Sequence, residues 1–120
     1  MRVLIVESGV ELAELWRAHL AAPEREVVVA ATADAAVSRL LTGRFDVIII
    51  DLVLSEGSAF AVADVAQYRW PEASLIFVTD TAFFSDGSIF RLMPAARAFV
   101  PTDTPPADLA AMVDHYGRVA

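Results

Sequence analysis

Residues 47–50 read Val-Ile-Ile-Ile, apolar at every position, and residue 51 is an aspartate. A strand with one face in water alternates apolar and polar residues; a strand that is apolar throughout is covered on both faces. The run is too short for a helix, and its β-branched residues suit a strand. It belongs inside a parallel sheet layered between helices. A carboxylate at the tip of such a strand is either exposed or employed, because burying an unpaired charge is costly.

The rest of the chain supplies the layers. Arg2–Val6 is a second apolar run, followed by Glu7-Ser8-Gly9. A helical period then places Leu12, Leu15, Trp16, His19 and Leu20 on one face, and Pro23 closes it. Val27–Ala31 reads as a strand. Thr32 caps a helix with Ala36, Val37, Leu40 and Leu41 as its stripe and Gly43 as its stop. After Asp51, Ser58–Gln67 is helical with Phe60, Ala61 and Val65 inward. Ser74–Val78 is a strand, Phe84–Met93 a helix weakened by Gly87, and Ala98–Val100 a short strand. Thr104 caps the last helix, with Pro105 and Pro106 in its first turn, Leu109, Met112 and Val113 as its stripe, and Gly117 past its end.

Five strands alternating with five helices predict a flavodoxin-like (βα)5 architecture, a doubly wound parallel five-stranded sheet. The working site of such a sheet lies beyond the carboxyl ends of the strands, near the switch in strand order. Glu7, Asp51 and Thr79 each directly follow an apolar strand, so all three reach that rim.

Composition narrows the function. The 120 residues form a single domain, residues 1–120, with no internal repeat and no linker. Net charge is −7, which argues against nucleic-acid binding. No apolar run approaches the ~20 residues of a membrane helix, and a cytoplasmic location is the simplest reading. There is no cysteine and no lysine; all nine basic side chains are arginine. Thiolate metal sites, phosphate-cradling lysines and Schiff-base chemistry are thereby excluded. An enzyme is not expected, because no base–nucleophile pair is visible beyond Asp51.

RVLIVES, FDVIIIDLVL, LIFVTD and ARAFVPT together resemble the receiver domain of response regulators in two-component signalling, over essentially the whole chain. The resemblance implies that Asp51 accepts a phosphoryl group from a histidine kinase or phosphotransfer protein. It implies that the Thr79 hydroxyl binds that group, and that the aromatic Phe99 changes rotamer with it. It also implies a Mg²⁺ site on Glu7, Asp51 and Val53. Output would pass through protein contacts of the face made by the fourth helix, fifth strand and fifth helix. No DNA-binding or catalytic output domain is attached, so a stand-alone receiver or a piece of a longer regulator is expected.

The chain departs from the family where charge matters. The second of two adjacent acids after strand one is Ser8, a much weaker Mg²⁺ ligand than a carboxylate. The family lysine falls on Thr102, and the proline after it on Asp103. The loop after Asp51 is short and has Ser55 where a proline is usual. A full charge ~4 Å from a phosphoryl group contributes up to ~4 kcal/mol at an effective dielectric near 20. Losing two such charges defines a degenerate receiver with a weak Mg²⁺ site. Asp80 could return a carboxylate to the pocket; it reads more simply as a helix cap or a solvated acid, as does Asp86.

Two other readings stand beside this one. The first is a phosphorylation-independent pseudo-receiver that works by dimerisation or partner binding. Ala82, Phe83, Phe84, Ile89, Phe90, Leu92 and Met93 exceed one helix stripe, and a homodimer or partner interface is the preferred reading of that excess. The second is a flavodoxin-like nucleotide- or flavin-binding domain. It is the weaker, because Glu7-Ser8-Gly9-Val10 lacks a phosphate-cradling Gly- or Ser/Thr-rich run. His19 and His115 are read as ordinary helix-face residues, and Trp16 and Trp70 as core-edge packing.

Overall fold

The computed structural model describes residues 1–79 and 96–117. Within them run β1 (Arg2–Val6), α1 (Val10–Leu20), β2 (Glu26–Ala30), α2 (Ala33–Thr42), β3 (Val47–Asp51), α3 (Ala59–Arg69), β4 (Ser74–Thr79), β5 (Ala96–Pro101) and α4 (Pro106–Gly117). The helix expected over Phe84–Met93 lies outside the described residues, and with it Asp80, Asp86 and the apolar excess of that stretch.

The five strands form one parallel sheet in the order β2-β1-β3-β4-β5. Alternate residues of each strand enter opposite layers. Leu4, Val6, Ile48, Ile50, Leu75 and Phe77 join a core closed by α2 and α3. Val3, Ile5, Val47, Ile49, Ile76 and Val78 join one closed by α1 and α4. Every residue of β3 is buried, as a strand covered on both faces requires.

The inward face of α1 keeps Leu12, Trp16 and Leu20 of the expected stripe but not Leu15 or His19, and α3 turns a different face inward from the one its large residues suggest. In α1 the buried residues are Ala13, Trp16 and Leu20, while Leu15 and His19 face outward. In α3 they are Ala59, Val62, Ala63 and Ala66, while Phe60 and Ala61 are exposed and Val65 is half-buried. In α3 the contact with the sheet is made mainly by alanines, and Phe60 falls at its edge. Leu41 of α2 is likewise exposed. Trp16 is not at the core edge but buried within it, at 2% exposure, whereas Trp70 sits at an edge and donates from Nε1 to Leu40 O at 2.8 Å.

Thr32 caps α2, its side chain accepting from Ala35 N at 3.1 Å. Thr104 does not cap α4. Its hydroxyl donates back to Pro101 O at 2.6 Å, and the helix begins at Pro106 behind Pro105 O, which accepts from Asp108 N and Leu109 N. Gly117 is the last residue of α4 rather than the first beyond it.

At the far end of the sheet, Asp46 fixes the β1–β3 register. Its Oδ2 accepts from Arg2 N, and its own N–H donates to Arg2 O, both at 2.8 Å. Arg25, 9% exposed, pairs with Asp114 and ties the α1–β2 corner to α4.

Candidate functional site

Sheet register places the expected residues on one rim. Val6 is paired with both Ala30 and Ile50, so Glu7 leaves β1 level with the end of β3. Asp51 is paired with Val78, and Thr79 with Pro101. The order of strands reverses between β1 and β3, so Glu7 and Asp51 flank the switch point. Glu7 is 5% exposed, Asp51 8% and Thr79 1%. The strand-tip carboxylate is therefore buried at the rim rather than standing free in water.

Glu7 and Asp51 face one another within hydrogen-bond reach. Glu7 Oε2 accepts from Gly9 N at 3.0 Å, but Glu7 Oε1 is buried and, among the described residues, accepts from no protein donor. Two ionised carboxylates have no proton to place between them; a proton on Glu7 supplies one. Burial first, then that shared proton and the repulsion of Asp51, push the Glu7 pKa from its ordinary 4.5 up to about 7. Among the described residues neither acid makes an ion pair.

Asp51 Oδ1 accepts from Val53 N at 2.9 Å. That contact orients the carboxylate. Leu52 N donates to Val78 O at 2.9 Å and ties the start of the β3–α3 connection to β4.

Ser8 does not point its hydroxyl at the acids as a ligand. Its Oγ donates to Ala31 O at 2.6 Å and accepts from Ser55 N at 3.0 Å. The residue at the expected metal-acid position thus joins three strand-to-helix connections. Ala31, read from the sequence as the end of β2, is outside that strand, and its carbonyl is the acceptor.

The Thr79 hydroxyl is the second buried polar atom at the rim with no partner among the described residues. Thr102 N donates to Thr79 O at 2.9 Å, which brings Thr102 beside Thr79, with an uncharged side chain. Phe99 stacks on Phe77 with centroids 5.2 Å apart and rings inclined by 14°, and Phe77 in turn meets Phe60 of α3 at 6.4 Å. Asp103 is exposed beside Thr102. His19 and His115 are exposed on α1 and α4, away from the rim strands.

A hard cation that keeps several waters needs few oxygen ligands. Among the described residues no cluster of three His, Cys, Asp or Glu side chains forms. The pair Glu7–Asp51 fits such an ion as a minimal, two-carboxylate site, with the unpartnered Glu7 Oε1 as a ready oxygen. Ser8 adds little to it, since its proton and one lone pair are already engaged.

Sequence reading missed two features of this site: the Ser8 bridge and the seam beside it. Ala33 N donates to Glu56 O at 3.2 Å, and Gly57 holds φ +86°, with any Cβ it carried lying 2.3 Å from Ala33 Cβ. The Glu56-Gly57 turn was the available signal, because a glycine there accepts a positive φ at no steric cost.

In sequence, no protein-family model and no curated protein matches the chain. In structure it is similar to a CheY-like response regulator receiver domain protein from Methanospirillum hungatei JF-1. The TM-score is 0.86 at 24% identity, over 98% of this chain and 94% of that one. The N-terminal domain of a response regulator/sensory box/GGDEF protein from Carboxydothermus hydrogenoformans matches with a TM-score of 0.83 at 25% identity, over 99% and 95%. The response regulator TrrA from Thermotoga maritima, in complex with Mg²⁺-BeF, matches at 0.79 and 23% identity, over 96% and 97%. The chain has the receiver fold. No helix among the described residues is long and apolar enough to cross a membrane.

Proposed function

We propose that this chain is a receiver-type signalling module of two-component systems, degenerate in its metal and lysine positions, with Asp51 as its phosphoacceptor. The observation that carries this reading is the pairing of buried Asp51 with Glu7 at the strand-order switch, beside a Thr79 hydroxyl that has no partner among the described residues. The partner chemistry is a phosphohistidine on a kinase or phosphotransfer protein. An Asp51 carboxylate oxygen bonds to phosphorus as the P–N bond breaks. The imidazole leaves and takes a proton from solvent, and an acyl phosphate remains on Asp51. The Thr79 hydroxyl donates to a phosphoryl oxygen. Glu7, Asp51 and the Val53 carbonyl would hold Mg²⁺, which when bound offsets repulsion between the carboxylate and the incoming phosphoryl oxygens.

The domain is read as non-enzymatic, with output through protein contacts beyond Phe99. A second reading is favoured by Ser8 and Thr102. With the serine hydroxyl tied into the loops and no cation at residue 102, the same fold serves as a phosphorylation-independent interaction module, as a dimer or with a protein target.

The two readings separate in a titration with beryllofluoride and Mg²⁺, a phosphoryl mimic, followed by amide NMR shifts. The acceptor reading expects the Val53, Thr79 and Thr102 amides to move together, and Asp51→Asn to abolish the response. An unchanged spectrum at saturating mimic selects the interaction module.

A further inference from the structure

The connection after Asp51, residues 52–57, is exposed over much of its length, with Val53 63% exposed. A loop of that kind, carrying the only N–H that orients Asp51 among the described contacts, needs something to hold it. Backbone pairing supplies its two ends, through Leu52 N to Val78 O and Ala33 N to Glu56 O. Leu52 and Leu54 pack against the core, and among the described residues the one side-chain hydrogen bond from another connection to its middle is that of Ser8 to Ser55 N.

We propose that Ser8 is a positioning residue: its hydroxyl latches the connection after Asp51 onto the β2–α2 connection and so keeps the Val53 N–H on Asp51 Oδ1. The chemistry of the position selects a hydroxyl. Ala31 O needs a donor, and Ser55 N needs an acceptor. A hydroxyl is both at once. A carboxylate here accepts from Ser55 but sets oxygen against the Ala31 carbonyl. An alanine does neither and leaves the Ser55 N–H to water. The residue therefore serves the loop in place of serving a cation. The latch bears on the proposed acceptor role of Asp51, yet it exists whether or not Asp51 takes a phosphoryl group.

The test is amide hydrogen exchange by NMR on the metal-free full chain, comparing wild type, Ser8→Ala and Ser8→Thr. Global stability is measured in parallel by urea unfolding. In Ser8→Ala the Ser55 and Val53 amides are expected to exchange about tenfold faster, beyond any change set by global stability. Amides of β1 and β3 follow global stability alone, and the Asp51 side-chain carboxyl ¹³C shift moves. Ser8→Thr keeps the hydroxyl and restores wild-type protection at both amides. Three results overturn the proposal: no protection of Ser55 in wild type, acceleration at Ser55 without any change at Val53, or acceleration spread evenly over the whole sheet. Because no phosphoryl donor is used, failure here is distinct from failure of the acceptor reading.

Discussion

Glu7→Gln is expected to make the protein more stable at pH 8 and to leave it almost unchanged at pH 5. The cause is the burial of Glu7 against Asp51, which lifts its pKa from 4.5 to about 7. Between those two values the folded chain holds a proton that the unfolded chain has released. Stability therefore falls as pH rises through that window and stays low above it. The full shift corresponds to roughly 3 kcal/mol, and access of water at the rim reduces the expected gain to about 2 kcal/mol. Glutamine is neutral throughout, still accepts from Gly9 N, and offers an N–H where Glu7 Oε1 has no partner. Urea midpoints of both proteins at pH 5 and pH 8, with a chelator present, measure the difference. Equal stabilities at pH 8 would contradict the shared-proton account. The same proton makes Mg²⁺ binding pH-dependent, because the ion selects the ionised form of Glu7.

Ser8→Asp is expected to tighten Mg²⁺ binding by about tenfold or more at pH 8, a difference of ~1.4 kcal/mol. A third carboxylate beside Glu7 and Asp51 adds a full charge to a site that has two. Its unscreened contribution at ~4 Å is near 4 kcal/mol, and solvent and the lost Ser8 latch reduce it. Without metal the same substitution concentrates negative charge at the rim and lowers stability by about 1 kcal/mol. Isothermal titration calorimetry measures the affinity, and urea unfolding with and without Mg²⁺ measures the trade. An affinity equal to wild type would mean that the side chain at residue 8 stays turned toward Ala31 and Ser55, and that a missing acid there does not account for a weak site.

The strands were the most legible part of this chain. Val47–Ile50 and Leu75–Val78 are apolar on both parities, and their shortness together with that pattern marks them as doubly covered strands. The rim followed, because a polar residue after each buried strand lands at the same end of a parallel sheet. Helix faces were less legible. In α3 every side of the helix carries apolar residues, so periodicity gives no stripe. The choice between Phe60 and Ala63 is then made by how closely the backbone approaches the sheet. Ser8 reads from the sequence as a poor ligand because a hydroxyl holds Mg²⁺ more weakly than a carboxylate, and its role in the loops is hidden because its partners are distant along the chain. Ala31 is 23 residues away and Ser55 is 47. The Arg25–Asp114 pair spans 89 residues and carries no local signal either. Such contacts exist only once the sheet has set the register of its connections.

Intact mass after incubation with acetyl phosphate and graded Mg²⁺, with Asp51→Asn alongside, tests the central claim. The account predicts one phosphoryl group on the wild type, appearing only at high Mg²⁺, and none on Asp51→Asn. No adduct on the wild type at any Mg²⁺ concentration, or an equal adduct on Asp51→Asn, would contradict it.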